Sequence, residues 1–303
     1  MKHSVALACC LAFLEFASIG SGFERPEVLG NYLKLNIGEY LYAEDNPSLD
    51  FRLRSNFAVE FWFKLETVPE TPSGQRVLLL KPGSYAFVIL AEVVIELRDG
   101  DRLKRNIPTL YIMSRKEEGR NFDIGVLGLI GPGEWHHFAF ETWLEGGVRR
   151  SFVYYNGNHP NDLNLPNGMW CDDTDNRFYI GSVPDEALDG FEYTVERYGP
   201  FIPGTIYMDE LQLSLPPVGK PRLNVRPKPN PRTMALWRFS EGTDASMYVD
   251  AARGNTLFRH PLSVPPDRGL ATTWGQLKFQ GPLPSVRLTL QTNLSAPINL
   301  SVE

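Results

Sequence analysis

Apolar and polar side chains alternate with a period of two along much of this chain, and helical periodicity of useful length is missing. The clearest run covers residues 57–65. Phe57, Val59, Phe61, Phe63 and Leu65 project to one side of an extended strand, and Ala58, Glu60, Trp62 and Lys64 project to the other. Five large apolar side chains in register predict a core strand of a two-sheet sandwich. Residues 76–80 and 85–90 predict a strand pair turning at Lys81-Pro82-Gly83-Ser84. Runs at 93–97 and 109–113 flank a charged stretch, 98–105, that reads as a loop, and residues 122–130 continue the sheet. The turn Gly131-Pro132-Gly133 then feeds Trp135-His136-His137-Phe138-Ala139-Phe140. The next strand breaks at Tyr154-Tyr155-Asn156-Gly157, where Asn-Gly is the strongest short hairpin signal. A long polar loop is expected from there to residue 176, followed by a strand at 177–181.

Later in the chain, Leu211, Leu213 and Leu215 share one strand face. Asp209 has their parity, so its carboxylate is expected to face inward. There it must be hydrogen-bonded or metal-bound, because an unpaired buried carboxylate is costly. Residues 217–232 are proline-rich and basic, which predicts an extended linker. Alternation resumes at Ala235-Leu236-Trp237, and its last run is Val286, Leu288 and Leu290.

Composition agrees with short strands joined by turns: 26 Gly and 24 Pro in 303 residues, 43% hydrophobic and 22% charged. A net charge of −6 with no Lys/Arg run argues against nucleic acid as a partner. The start has the look of an export signal. Lys2 and His3 precede a mostly apolar stretch, residues 5–16, interrupted by Glu15, and small residues follow at Ala17, Ser18, Gly20, Ser21 and Gly22. That apolar stretch is too short for a membrane span, which needs about 20 residues. Leu7-Ala8-Cys9 before Cys10 is the alternative, a lipid-anchoring signal, although only about four apolar residues precede it. Cleavage near residue 22 leaves Cys171 as the single cysteine, so stability must come from a large core rather than a disulfide.

Four landmarks in order resemble laminin-G-like jelly rolls of the concanavalin A-like lectin/glucanase superfamily, as found in exported bacterial proteins. They are Tyr40-Leu41-Tyr42 with Asn46-Pro47-Ser48-Leu49-Asp50-Phe51, the run 57–64, Glu134-Trp135-His136-His137-Phe138-Ala139 with Tyr155-Asn156-Gly157, and Gly204 with the strand to Leu213. The resemblance implies an all-β, two-sheet antiparallel jelly-roll sandwich. It divides the chain into a signal peptide (1–22), a jelly roll (23–216), the linker (217–232) and a C-terminal β segment (233–303). That last segment, with Ala235-Leu236-Trp237-Arg238-Phe239-Ser240-Glu241-Gly242, Asp250, Asn255 and Leu277-Lys278-Phe279, resembles the beginning of the same fold. It either completes the first sandwich or starts a truncated repeat. Exposed sheet edges invite aggregation, which favours packing on the same sandwich.

Members of this superfamily bind ligands, act as adhesive spacers or cleave glycans. Cleavage requires two carboxylates facing across one bond, about 5–5.5 Å apart in retaining enzymes. The superfamily's Glu-x-Asp-x-x-Glu signature is absent, and Asp209 and Glu210 are adjacent, so strand parity turns them apart. The same parity keeps His136 and His137 from sharing a metal; one is expected to pack beside Trp135 and the other to meet solvent. Trp170-Cys171-Asp172-Asp173-Thr174-Asp175-Asn176 concentrates oxygen ligands, which makes Asp172, Asp173, Asp175 and the separate Asp209 candidate calcium ligands. A solvated Asx-rich turn is the simpler reading of that loop. His159, Asn161, Asp162, Trp170 and Tyr193 are the candidate ligand-binding residues, because sugar sites combine loop aromatics with amide and carboxylate groups. The expected function is non-catalytic binding of a glycan or extracellular protein, in a secreted or cell-surface setting. A structural spacer and a divergent glycan hydrolase are the alternatives.

Overall fold

The computed structural model describes residues 24–50, 56–69, 74–98, 101–116, 120–127, 130–162, 174–188, 191, 194–195 and 198–261. Its strands are β1 (Leu33–Leu35), β2 (Glu39–Ala43), β3 (Phe57–Leu65), β4 (Gln75–Lys81), β5 (Tyr85–Arg98), β6 (Asp101–Lys116), β7 (Arg120–Leu127) and β8 (Trp135–Glu145). They continue with β9 (Val148–Tyr155), β10 (Asn158–Asp162), β11 (Phe178–Gly181), β12 (Ile206–Ser214), β13 (Thr233–Trp237), β14 (Met247–Val249) and β15 (Thr256–Pro261). Two antiparallel sheets result. The first runs β1-β12-β3-β8-β9-β10 with β13 also on β12, and the second runs β14-β15-β2-β11-β4-β5-β6-β7.

The core lies between the sheets, where alternation sends the large side chains. Val59, Phe61, Phe63 and Leu65 of β3 join Phe138 and Phe140 of β8 and Leu211 and Leu213 of β12. Facing them are Leu79, Phe87, Ile89, Ile112 and Ile180 of the second sheet. Burying each such side chain contributes about 1.5–3 kcal/mol. A smaller core covers the outer face of the second sheet, where Tyr40, Leu80, Val88 and Tyr179 pack under Ala187 and Phe191. Gln75 anchors that cover by donating from Nε2 to the carbonyls of Thr194 (2.8 Å) and Gly199 (2.6 Å).

The strands up to residue 261 complete both sheets. Trp237 of β13 lies opposite Leu211, and Phe258 of β15 lies opposite Tyr42. Trp237 is fully buried and stacks on Phe178 of the other sheet at 5.9 Å. Asp250 organises the turn before β15, accepting from the backbone N–H groups of Leu236 (2.7 Å), Ala252 (2.7 Å) and Arg253 (2.9 Å). The expected signal peptide (1–22) and the runs at 277–279 and 286–290 lie outside the described residues.

Three local expectations are corrected. Within the charged stretch 98–105, residues 98 and 101–105 are strand, not loop: Arg98 of β5 lies opposite Asp101 of β6, and Arg105 lies opposite Val94. Residues 158–162 are not loop either. Asn156 (φ 47°) and Gly157 (φ 74°) both adopt left-handed conformations, as a type I′ turn requires, and that turn returns the chain as β10 against β9. Pro160 lacks an N–H, which confines β10 to the sheet edge and coincides with its register shift.

The proline-rich segment is extended and packs on the first sheet. Val218 N–H donates to Glu141 of β8 (2.8 Å), and Leu223 sits so close to Gly157 that a Cβ there would meet it at 2.9 Å. Arg226 binds Glu210 of β12 (2.7 Å), and Arg238 binds the Pro227 carbonyl (2.7 Å). Finally, a bulge at Glu210 (φ 49°) adds one residue to β12, so Asp209 lies opposite Trp62 while Gln212 lies opposite Glu60. The parity shared with the leucines is broken there. Asp209 turns to the outer face of the sheet, not inward.

Candidate functional site

The first sheet carries one histidine environment on each face and one open patch on its outer face. His136 and His137 project to opposite faces, but neither meets solvent; each is 1% exposed. His136 points into the sandwich beside Phe63, with its ring nitrogens 2.6 Å from the Tyr155 hydroxyl and 3.2 Å from the Gly131 carbonyl. Burial lowers the His136 pKa and raises that of Tyr155, so the pair is a neutral hydrogen bond at ordinary pH. His137 lies on the outer face against Trp62, with Nε2 3.0 Å from Glu60 Oε1. Among the described residues, the ring contacts of Trp135 are with Tyr32 and Tyr207 and not with either histidine.

Asp209 meets a cation of this chain. Arg25 Nε donates to its Oδ2 at 2.8 Å, and the same guanidinium holds the carbonyls of Gly30 (2.9 Å) and Asn31 (3.1 Å). Burial, with a smaller push from the nearby Glu210 carboxylate, outweighs Arg25 and lifts the Asp209 pKa to about 8. The two carboxylates are therefore close enough to interact. Arginines occupy both, Arg25 on Asp209 and Arg226 on Glu210.

The open patch sits one row nearer the end of the sheet. Register places Lys34 of β1 opposite Tyr207 of β12, Tyr207 opposite Lys64 of β3, and Lys64 opposite Trp135 of β8. Four adjacent strands thus present an alternating Lys-Tyr-Lys-Trp row on one face, about 4.8 Å from strand to strand. All four side chains are partly exposed, as is Tyr32 just before β1. Tyr32 meets Trp135 edge-on at 5.5 Å and Tyr207 at 5.9 Å, making a three-ring cluster. Lys64 Nζ lies 4.1 Å from the Tyr207 ring centre and 5.3 Å from that of Trp135, while Lys34 Nζ lies 5.9 Å from Tyr207. The Arg25 guanidinium closes the inner side, 5.4 Å from both Tyr32 and Trp135.

The predicted site residues fall elsewhere. His159, Asn161 and Asp162 lie in edge strand β10, at the far side of the sheet from β1. Trp170, Tyr193, Asp172 and Asp173 lie outside the described residues, and Asp175 is exposed in the segment leading to β11. Among the described residues, no group of three or more His, Cys, Asp or Glu side chains is arranged to hold a metal ion. Lys81 packs against that segment, and its ammonium contacts Asp45 Oδ1 (2.6 Å), Asp50 Oδ1 (2.9 Å) and the Asn176 carbonyl (2.9 Å). A polar cleft of about 300 Å³ opens nearby where the segments after β2 and before β15 meet, lined by Glu44, Asp45, Asn46, Arg253 and Phe258. Its carboxylates are already engaged, Glu44 by Arg177 (2.8 Å) and Asp45 by Lys81. The Lys-Tyr-Lys-Trp row is the better candidate. Sequence reasoning placed Trp135 in a framework strand and did not single out Lys34 or Tyr207. No local motif joins the four residues; only register does.

No protein-family model matches this sequence, and no curated protein is similar to it. Among solved structures, the chain is similar to a protein of Bacteroides ovatus ATCC 8483 provisionally described as carbohydrate-binding, with TM-score 0.47, 14% identity, 76% of this chain and 61% of that one covered. It is also similar to the binding domain of botulinum neurotoxin serotype D, with TM-score 0.36, 10% identity, and 60% and 39% covered. A third is the binding domain of botulinum neurotoxin DC in complex with rat synaptotagmin II, with TM-score 0.35, 12% identity, and 58% and 36% covered. The chain spans less than two thirds of the length of each. No helix among the described residues is long and apolar enough to cross a membrane.

Proposed function

We propose that this protein is an exported, non-catalytic carbohydrate-binding module of laminin-G-like type, with its working surface on the outer face of the first sheet. The observation that carries the reading is the three-ring cluster of Tyr32, Trp135 and Tyr207 beside Lys34 and Lys64. Aromatic rings left partly in water at a sheet surface offer an apolar ledge to the C–H face of a pyranose, and flanking donors reach its hydroxyl groups. The ledge is held by four strands and by Arg25, so binding does not require it to reorganise. Non-catalytic action fits the engagement of Asp209 and Glu210 by arginines, which leaves neither carboxylate free to work on a bond.

A glycan array with the full chain, paired with a reducing-sugar release assay on the polysaccharides that bind, tests the proposal. Discrete binding is expected, weakened at least tenfold by Trp135→Ala or Tyr207→Ala at unchanged fold, with no sugar released. Silence across the array would leave a structural spacer as the reading. Released sugar would make the protein a hydrolase.

A further inference from the structure

We propose that the saccharide held by this row is acidic, carrying carboxylate or sulfate groups that sit between Lys34 and Lys64 above Tyr207. The inference rests on the carbohydrate-binding reading and narrows it to one ligand class.

The argument starts from charge placement. The whole chain is acidic, with a net charge of −6, yet the row brings two lysines to the same tyrosine ring. Each cation–ring contact at a partly exposed site contributes only about 0.5–1 kcal/mol. Bringing the two ammonium groups together works against that gain: burial is the main cause that lowers the Lys64 pKa, the exposed Glu66 opposes it, and Lys34 adds a smaller lowering of its own. Among the described residues, no carboxylate lies within ion-pair distance of Lys34 or Lys64, whereas Arg25, Lys81, Arg177, Arg226 and Arg259 each hold one. A like-charge pair without a partner, set on a rigid aromatic ledge, is complementary to an anion fixed to a ring that can lie on that ledge. A neutral sugar would use the rings and leave both lysines without an ion-pair partner. A free anion would use the charges and leave the ledge bare.

Calorimetric titration of the full chain with matched oligosaccharides separates these cases. The probes are oligogalacturonate, sulfated dextran fragments, unsulfated dextran fragments and poly-glutamate, at low and moderate salt. At least one acidic saccharide is expected to bind ten or more times tighter than neutral dextran, and the preference should shrink as salt rises. Lys34→Gln and Lys64→Gln should each weaken acidic binding about three- to tenfold. The double variant should lose the preference at an unchanged melting temperature, and Lys64→Arg should restore most of it. Equal binding of acidic and neutral saccharides would overturn the charge proposal and keep the carbohydrate reading. Poly-glutamate binding as tightly as the acidic saccharides would overturn it as well, because charge alone would suffice. No binding of any saccharide here or on the array would remove both.

Discussion

Replacing Lys81 by methionine is expected to be among the more damaging single changes in this fold. The lysine side chain is fully buried, and its ammonium touches Asp45 (31% exposed), Asp50 (4% exposed) and the Asn176 carbonyl. The two carboxylates do not count equally. Asp45 reaches water, so its pair has nearly a surface value of about 0–1 kcal/mol. Asp50 does not, and removing one partner of a buried ion pair costs about 3–5 kcal/mol. The neighbouring turn adds rigidity, because Thr174 and Asn176 both donate to the Pro82 carbonyl at 3.0 Å. Lys81→Met should therefore cost about 3–5 kcal/mol, which for a fold of this size lowers the melting temperature by roughly 6–20 °C. Urea denaturation of Lys81→Met, Asp50→Asn and the double variant measures the coupling directly. The double variant should recover about 1–3 kcal/mol relative to the sum of the singles. A loss below 1 kcal/mol for Lys81→Met, or strict additivity, would refute the claim that this ammonium neutralises a buried carboxylate.

Two further outcomes are expected. Asp209, with its pKa raised to about 8, favours the fold fully below the ordinary carboxylate range and loses that contribution as pH rises through about 8. Melting curves from pH 4 to 9 should accordingly show the wild type falling relative to Asp209→Asn as pH increases; parallel curves would contradict the assignment. Trp237→Ala should cost about 3–5 kcal/mol by emptying a core position against Phe178, and the protein should still melt in one transition. Loss of the C-terminal strands in a separate, earlier transition would show that β13 to β15 are not part of the same cooperative unit.

The sandwich was legible because its strands obey period-two alternation and its turns carry their own chemistry. Phe57 to Leu65 lies in β3 with its odd-numbered residues in the core, and the Asn156-Gly157 dipeptide makes the expected hairpin. The misreadings have a common cause. Charge was read as loop at residues 98–105 and polarity as loop at 158–162, but backbone pairing with a neighbour strand, not side-chain hydrophobicity, holds residues 101–105 and 158–162 in a sheet. Likewise, a proline-rich run short of apolar residues reads as a linker, although single residues such as Leu223 and Arg226 suffice to tie it down.

The site was not legible for a deeper reason. Parity within one strand says which residues share a face, but not which residue of the next strand lies beside them. Lys34, Lys64, Trp135 and Tyr207 are scattered over more than half the chain, and a register slip of one residue in any of the four strands would dissolve the row. The bulge at Glu210 shows how much depends on this. Without the extra residue, the outer-face position opposite Trp62 and the inward leucines could not both be kept on the same strand. With it, Asp209 stays on the outer face beneath Arg25, and Arg25 in turn packs over Tyr32 and Trp135. The carboxylate that the sequence offered as a metal ligand therefore acts on the candidate site at one remove: it holds the arginine that closes the inner side of the aromatic ledge.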